Sequence, residues 1–180
     1  MNIKKEFNTK IKDEVMKDLN IKNIHMVPTI SKIVINSGVS DSTTNSDSLD
    51  IVQNIIEVIT GRKPIRTRAK ESVSNFHIRA GMYIGVKVTL RGDVMWDFYE
   101  RLFSIVIPRF RDFRGLSRDS FDGHGNYTLG IKDHTVFPEV AQMHIDRIKS
   151  LQITITTTAK SDLDAMVLLE KLNFPLVKMK

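Results

Sequence analysis

Apolar residues recur at four-residue spacing from the start of the chain, at Ile3, Phe7, Ile11, Val15 and Leu19, which predicts an amphipathic first helix. Residues 1–25 read as this helix and its connector. Ile33, Val34 and Ile35 then form a short apolar run suited to a buried strand, and the Ser-, Thr- and Asp-rich stretch from Gly38 to Ser48 reads as a loop. Leu49, Val52, Ile56 and Ile59 return to helical spacing, with Gly61 placed to end that helix. Two alternating stretches follow. From Pro64 to Lys70 the pattern separates Arg66, Arg68 and Lys70 from Ile65, Thr67 and Ala69. From Ile84 to Arg91 it separates Ile84, Val86, Val88 and Leu90 from Gly85, Lys87, Thr89 and Arg91.

Residues 71–83 join these strands and are too many for a tight hairpin; loops of this length are commonly functional or mobile. Met95, Phe98, Tyr99, Leu102 and Val106 predict a third helix ending at Pro108. An irregular stretch from Arg109 to Gly125 precedes strands at Tyr127–Ile131 and Ile153–Thr158. Ser161 with Asp164 three residues on caps a last helix through Leu163, Met166, Val167 and Leu169. With no internal repeat and no linker, the reading is one α+β domain. Its sheet is mainly antiparallel, with helices packed on one face and the other left open and basic.

Charge sharpens that picture. Between Arg62 and Arg91 stand eight basic residues and one acid, Glu71, while the whole chain carries a net +6. The positive charge is therefore local, the electrostatic footprint of a polyanion site. A second cluster follows at Arg109, Arg111, Arg114 and Arg118. Lys87 and Arg91 flank Thr89, which adds a hydroxyl donor to the cations, a common mixture for phosphate and ribose contacts. Phe76, with Asn75, His77 and Arg79 around it, either stacks on an unpaired base or anchors the loop to the core.

Other chemistry finds little support. There is no cysteine, which removes disulfides and thiolate metal sites, and no apolar run near the ~20 residues of a membrane span. The N-terminus shows no apolar core of a secretory signal, so a cytosolic or organelle-matrix setting is expected. His25, His77, His124, His134 and His144 are scattered without metal-ligand spacing, and Gly61-Arg62-Lys63 lacks the upstream glycine and following Ser or Thr of a phosphate-binding loop. No catalytic residue, metal or cofactor is assigned. A nucleic-acid-processing enzyme is the alternative, but it would need clustered carboxylates or histidines that the basic region does not hold. A membrane-surface protein would carry its cations on an amphipathic helix rather than on strands.

Longer motifs resolve the class. Lys32-Ile33-Val34-Ile35-Asn36, Lys63-Pro64-Ile65-Arg66-Thr67-Arg68-Ala69-Lys70 and Gly81-Met82-Tyr83-Ile84-Gly85-Val86-Lys87-Val88-Thr89-Leu90-Arg91 occur in order. So do Arg109-Phe110-Arg111-Asp112-Phe113-Arg114-Gly115-Leu116, the run from Ser120 to Lys132, and Phe137-Pro138-Glu139. Together they closely resemble the large-subunit ribosomal protein five family of bacteria and organelles, from about Met26 to Phe174. The chain departs from the family's pattern at Ser40, at Ser150-Leu151-Gln152, at Asp133-His134 and in a basic tail over residues 176–180.

The resemblance implies a non-catalytic constituent of the central protuberance of the large ribosomal subunit, on a cytoplasmic or organelle-matrix ribosome. It implies 5S ribosomal RNA on the open sheet face, held by Asn36, Arg62, Lys63, Arg66, Arg68, Lys70, Lys87, Thr89 and Arg91. Large-subunit ribosomal RNA is a further partner. The loop bearing Asn75, Phe76, His77 and Arg79 would approach peptidyl-site transfer RNA. Arg109, Arg111 and Arg114 would meet small-subunit ribosomal protein thirteen in an intersubunit bridge. The partners are RNA and ribosomal protein, not a membrane and not a second copy of the chain.

Overall fold

The computed structural model describes residues 3–39, 47–110, 113–141 and 148–177. Helix α1 (Ile3–Glu6) runs through a π turn (Phe7–Ile11) into α2 (Lys12–Asp18). A strict four-residue period outruns a 3.6-residue turn by about 40° per repeat. The wider π turn absorbs part of that drift, which keeps Phe7, Ile11 and Val15 all buried. Strand β1 (Ile30–Gly38) is longer than its apolar run, and α3 (Asp47–Thr60) ends at Gly61, whose φ of +65° suits a residue without a Cβ. Then come β2 (Ile65–Arg68), β3 (Tyr83–Leu90), α4 (Gly92–Arg101), β4 (Tyr127–Ile131), β5 (Leu151–Thr157) and α5 (Asp162–Lys171). A second π turn (Leu102–Val106) continues α4, and Pro108 sits in the 3-10 turn that follows. Ser161 caps α5 by accepting the Asp164 amide at 3.2 Å.

The fold is α+β, and the five strands hydrogen-bond side by side in the order β2-β3-β1-β5-β4. By internal contacts the chain divides into two units that cut across the strands. The first comprises Met1–Ile33, Leu90–Leu129 and Thr154–Lys180. Its core is a run of rings, Phe7–Trp96 (5.3 Å), Trp96–Tyr99 (6.3 Å), Tyr99–Phe103 (4.4 Å), Phe103–Phe174 (4.7 Å) and Phe174–Tyr127 (4.8 Å). Tilted and edge-on contacts of this kind add to the area that each ring buries. The buried Tyr99 hydroxyl donates to the Leu172 carbonyl at 3.2 Å, so no polar atom of that ring is stranded.

The second unit comprises Val34–Thr89 and Gly130–Ile153. Leu49, Val52, Ile55, Ile56 and Ile59 form the buried stripe of α3, while Ile35, Val86, Val88, Leu151 and Ile153 are among the buried apolar residues of the strands. Alternation therefore leaves Val34, Asn36, Lys87, Thr89 and Gln152 on the other side of the strands. Gly85 shares the side of Lys87 and admits no larger residue. A Cβ there would stand 2.8 Å from the Ser37 carbonyl oxygen and 3.0 Å from Thr67 Oγ1. Gly85→Ala is expected to destabilise the fold by about 1–3 kcal/mol, as overpacking generally does. The shift in denaturation midpoint relative to wild type measures it.

Candidate nucleic-acid interface

Strand β2 pairs antiparallel with β3, and the register decides what each basic side chain can reach. Ile65 lies opposite Lys87, Arg66 opposite Val86, and Thr67 opposite Gly85. Directly paired residues project from the same side of a sheet. Lys87 therefore shares its side with Ile65 and Thr67, and Arg66 shares its side with buried Val86. This corrects the expectation that the basic faces of the two strands coincide. Arg66 turns to α3, where Nε donates to Gln53 Oε1 at 3.0 Å and Nη2 forms an ion pair with Asp50. Asp50 and Gln53 gave no sign of this role in the sequence, because their partner is distant and on another element.

The pairing slips between Thr67 and Arg68, which brings Arg68 opposite Tyr83. Arg68 donates to the Tyr83 hydroxyl at 2.8 Å and its guanidinium carbon lies 4.9 Å from the ring centroid. The contact holds the charge at the surface without neutralising it. Arg62 and Lys63 are exposed in the turn after α3, where Thr60 Oγ1 accepts the Arg62 amide at 3.3 Å. Lys70, Lys87 and Arg91 are exposed as well, Arg91 immediately before α4. These cations have no ion-pair partner among the described residues, unlike Arg66. The side of the strands that carries Lys87 also carries Asn36, Thr67, Thr89, Gln152 and the 60 % exposed Ile65, so hydroxyl and amide groups outnumber charges there.

The 71–83 loop is ordered by its own hydrogen bonds. Val73 and Ile78 exchange backbone bonds at 2.9 and 3.1 Å, and Ser72 Oγ accepts the Ala80 amide at 2.9 Å. Ser74–Phe76 makes a 3-10 turn that His77 closes at φ +54°, a left-handed conformation. Phe76 is 69 % exposed at that tip. It does not anchor the loop to a core, and Asn75, His77 and Arg79 are exposed beside it.

Arg109 and Arg114 are also exposed, while Arg111 lies outside the described residues. Arg118 is committed elsewhere, donating to the Val177 carbonyl at 3.0 Å and to Glu170 at 2.9 Å. No group of three His, Cys, Asp or Glu able to hold a metal occurs among the described residues. Asp122 beside His124 braces a turn. It accepts the amides of His124 and Asn126 at 2.9 and 3.0 Å, and the Asn126 side-chain bond leads in holding its carboxyl below the usual range. His144 lies outside the described residues.

A long, internally braced loop, a polar strand face and surface cations without ion-pair partners among the described residues make this a candidate surface for a polyanion. Similarity to known proteins agrees with that class. The family profile described as "Ribosomal protein L5" matches residues 23–79, and the profile for the C-terminus of the same ribosomal family matches residues 83–176. Among relatives, the chain is 46% identical over 175 residues to the "Large ribosomal subunit protein uL5" of Synechococcus sp. (strain RCC307), covering 97% of this chain and 98% of that one. It is 44% identical over 178 residues to the protein of that name from Spiroplasma kunkelii, covering 99% of each. For Malacoplasma penetrans the identity is 49% over 166 residues, with 92% and 89% covered. The chain belongs to the ribosomal protein L5 family.

Away from this surface, His134 is buried at 1 % exposure, and its Nδ1 accepts the Lys149 amide at 3.1 Å. Burial holds its imidazole below the usual range, although the Asp133 carboxylate pulls the other way. The unfolded chain thus takes up a proton near pH ~6.5 that the folded protein refuses. Stability is expected to be fully present above about pH 7 and to fall as pH drops below about 6.5. Urea midpoints from pH 7.5 to 5.5 should show a steeper decline in wild type than in His134→Gln.

Proposed function

We propose that this protein is a non-catalytic structural constituent of the large ribosomal subunit, in the cytoplasm or an organelle matrix, that folds as one domain and binds ribosomal RNA. The near-full-length family match carries the reading. The geometry supports a finer one. 5S ribosomal RNA docks on the side of the strands bearing Asn36, Lys87 and Thr89, with Arg62, Lys63, Arg68, Lys70 and Arg91 supplying further positive charge. Cations without partners neutralise phosphates, and Asn36 and Thr89 offer hydrogen bonds to ribose or base edges. Strands hold these groups in place before binding, so little ordering entropy opposes the complex.

The same reading gives the 71–83 loop a second partner, the peptidyl-site transfer RNA, met by Asn75, Phe76, His77 and Arg79. Exposed Arg109 and Arg114, with Arg111, then serve an intersubunit bridge to small-subunit ribosomal protein thirteen in the central protuberance. Large-subunit ribosomal RNA is the remaining neighbour. A processing enzyme would need clustered carboxylates or histidines, whereas the stretch from Arg62 to Arg91 holds one acid, Glu71, and Asp50 beside Arg66 is ion-paired.

Salt dependence tests the phosphate contacts. Each phosphate met contributes about 0.7–0.9 to the log–log slope of affinity against salt. Lys87→Met should flatten the slope for 5S ribosomal RNA by about that amount in filter-binding titrations. An unchanged slope would remove Lys87 from the interface. The loop is tested separately. Deleting residues 75–79 should leave 5S binding within about 1 kcal/mol of wild type, because an exposed tip contributes little to a site on the strands. Ribosomes carrying the deletion should hold peptidyl-site transfer RNA less tightly, by roughly 1–3 kcal/mol if Phe76 stacks on a base. Loss of 5S binding by a deletion variant with a native circular-dichroism spectrum would show loop and strands to be one site.

A further inference from the structure

We infer that Arg66 is a positioning residue, which clamps the edge strand β2 to α3 and so sets the strand's polar side and the root of the 71–83 loop, without itself touching RNA. This inference rests on the 5S-binding reading above.

Three observations carry it. The register puts the Arg66 side chain with Val86, on the side that α3 covers. Its planar fork then reaches two acceptors one helical turn apart, Asp50 through Nη2 and Gln53 through Nε, a match that a lysine could not reproduce. Finally, β2 has four residues and a single strand neighbour, β3, so backbone pairing holds it from one side only. The Arg66 fork gives this edge strand a second attachment, to α3.

The clamp also accounts for an acid beside a surface proposed to meet a polyanion. Asp50 would repel phosphate if it acted by charge alone. Paired with Arg66, it restrains the strand that carries Thr67 and Arg68. From there the chain passes to Ala69, whose amide donates to the Met82 carbonyl at 2.8 Å and whose carbonyl accepts the Gly81 amide at 3.0 Å. Those two bonds close the base of the loop, so a shift of β2 moves the loop as well.

The test compares Arg66→Met, Asp50→Asn and the exchanged pair Asp50→Arg/Arg66→Asp with wild type, each first checked for native circular dichroism. In filter binding to 5S ribosomal RNA, Arg66→Met should weaken affinity about two- to fivefold with no change in salt slope. Asp50→Asn should weaken it by a similar factor although it removes a negative charge, and the exchanged pair should restore it to within about twofold. Hydrogen exchange at the Ala69 amide, read on the free protein, should quicken in both single variants and recover in the exchanged pair. A slope flattened by about 0.7–0.9 in Arg66→Met would make Arg66 a phosphate contact and overturn the inference. Tighter binding by Asp50→Asn, or unchanged Ala69 exchange, would overturn it too. Lys87→Met is the control. If its slope is unchanged while Ala69 exchange responds as expected, the RNA face is misassigned and the clamp stands.

Discussion

The pairing of β2 with β3 is the constraint on which the candidate interface depends. Side chains alternate across a strand, so a slip of one residue would exchange the two sides of β2 completely. In the observed register Lys87 stands opposite Ile65, and Arg66 stands opposite Val86 under α3. Gly85 makes that pairing possible, because its missing side chain lets the Ser37 carbonyl and the Thr67 hydroxyl come close. The irregularity after Thr67 then releases Arg68 from the alternation and hands it to Tyr83.

The described basic residues fall into two kinds. Arg66 and Arg118 are spent on the protein's own carboxylates, as ion pairs with Asp50 and Glu170. Such exposed or half-exposed pairs contribute little stability, about 0–1 kcal/mol, but they fix where long side chains and their elements lie. Lys70, Lys87 and Arg79 keep their charge available, with no ion-pair partner among the described residues. A local excess of positive charge is thus an upper bound on the cations free to neutralise phosphates.

The loop that follows β2 extends the same logic. Its bridge at Val73 and Ile78, its hydroxyl bond from Ser72 and its left-handed His77 hold the tip in one conformation. An exposed phenyl ring on such a support loses little freedom on meeting a partner, whereas the same ring on a slack loop would have to be ordered first.

The helices, the strands and the concentration of charge between Arg62 and Arg91 were legible in the sequence, because apolar periodicity and composition are local properties. Helices α3 and α5 follow directly from their apolar spacing, from Gly61 and from the Ser161 cap. The family was legible too, through motifs spread over most of the chain. What the sequence could not state is which side of each strand meets which neighbour. Alternation along Ile65–Arg68 and along Tyr83–Leu90 divides each strand into two faces, but it does not say how the faces match across the pair. Only strand register decides that, and register depends on contacts such as Gly85 with Ser37 that lie far apart in sequence. For the same reason the roles of Asp50, Gln53 and Tyr83 became visible only in the tertiary structure. Each is defined by a partner that the chain brings close only when folded.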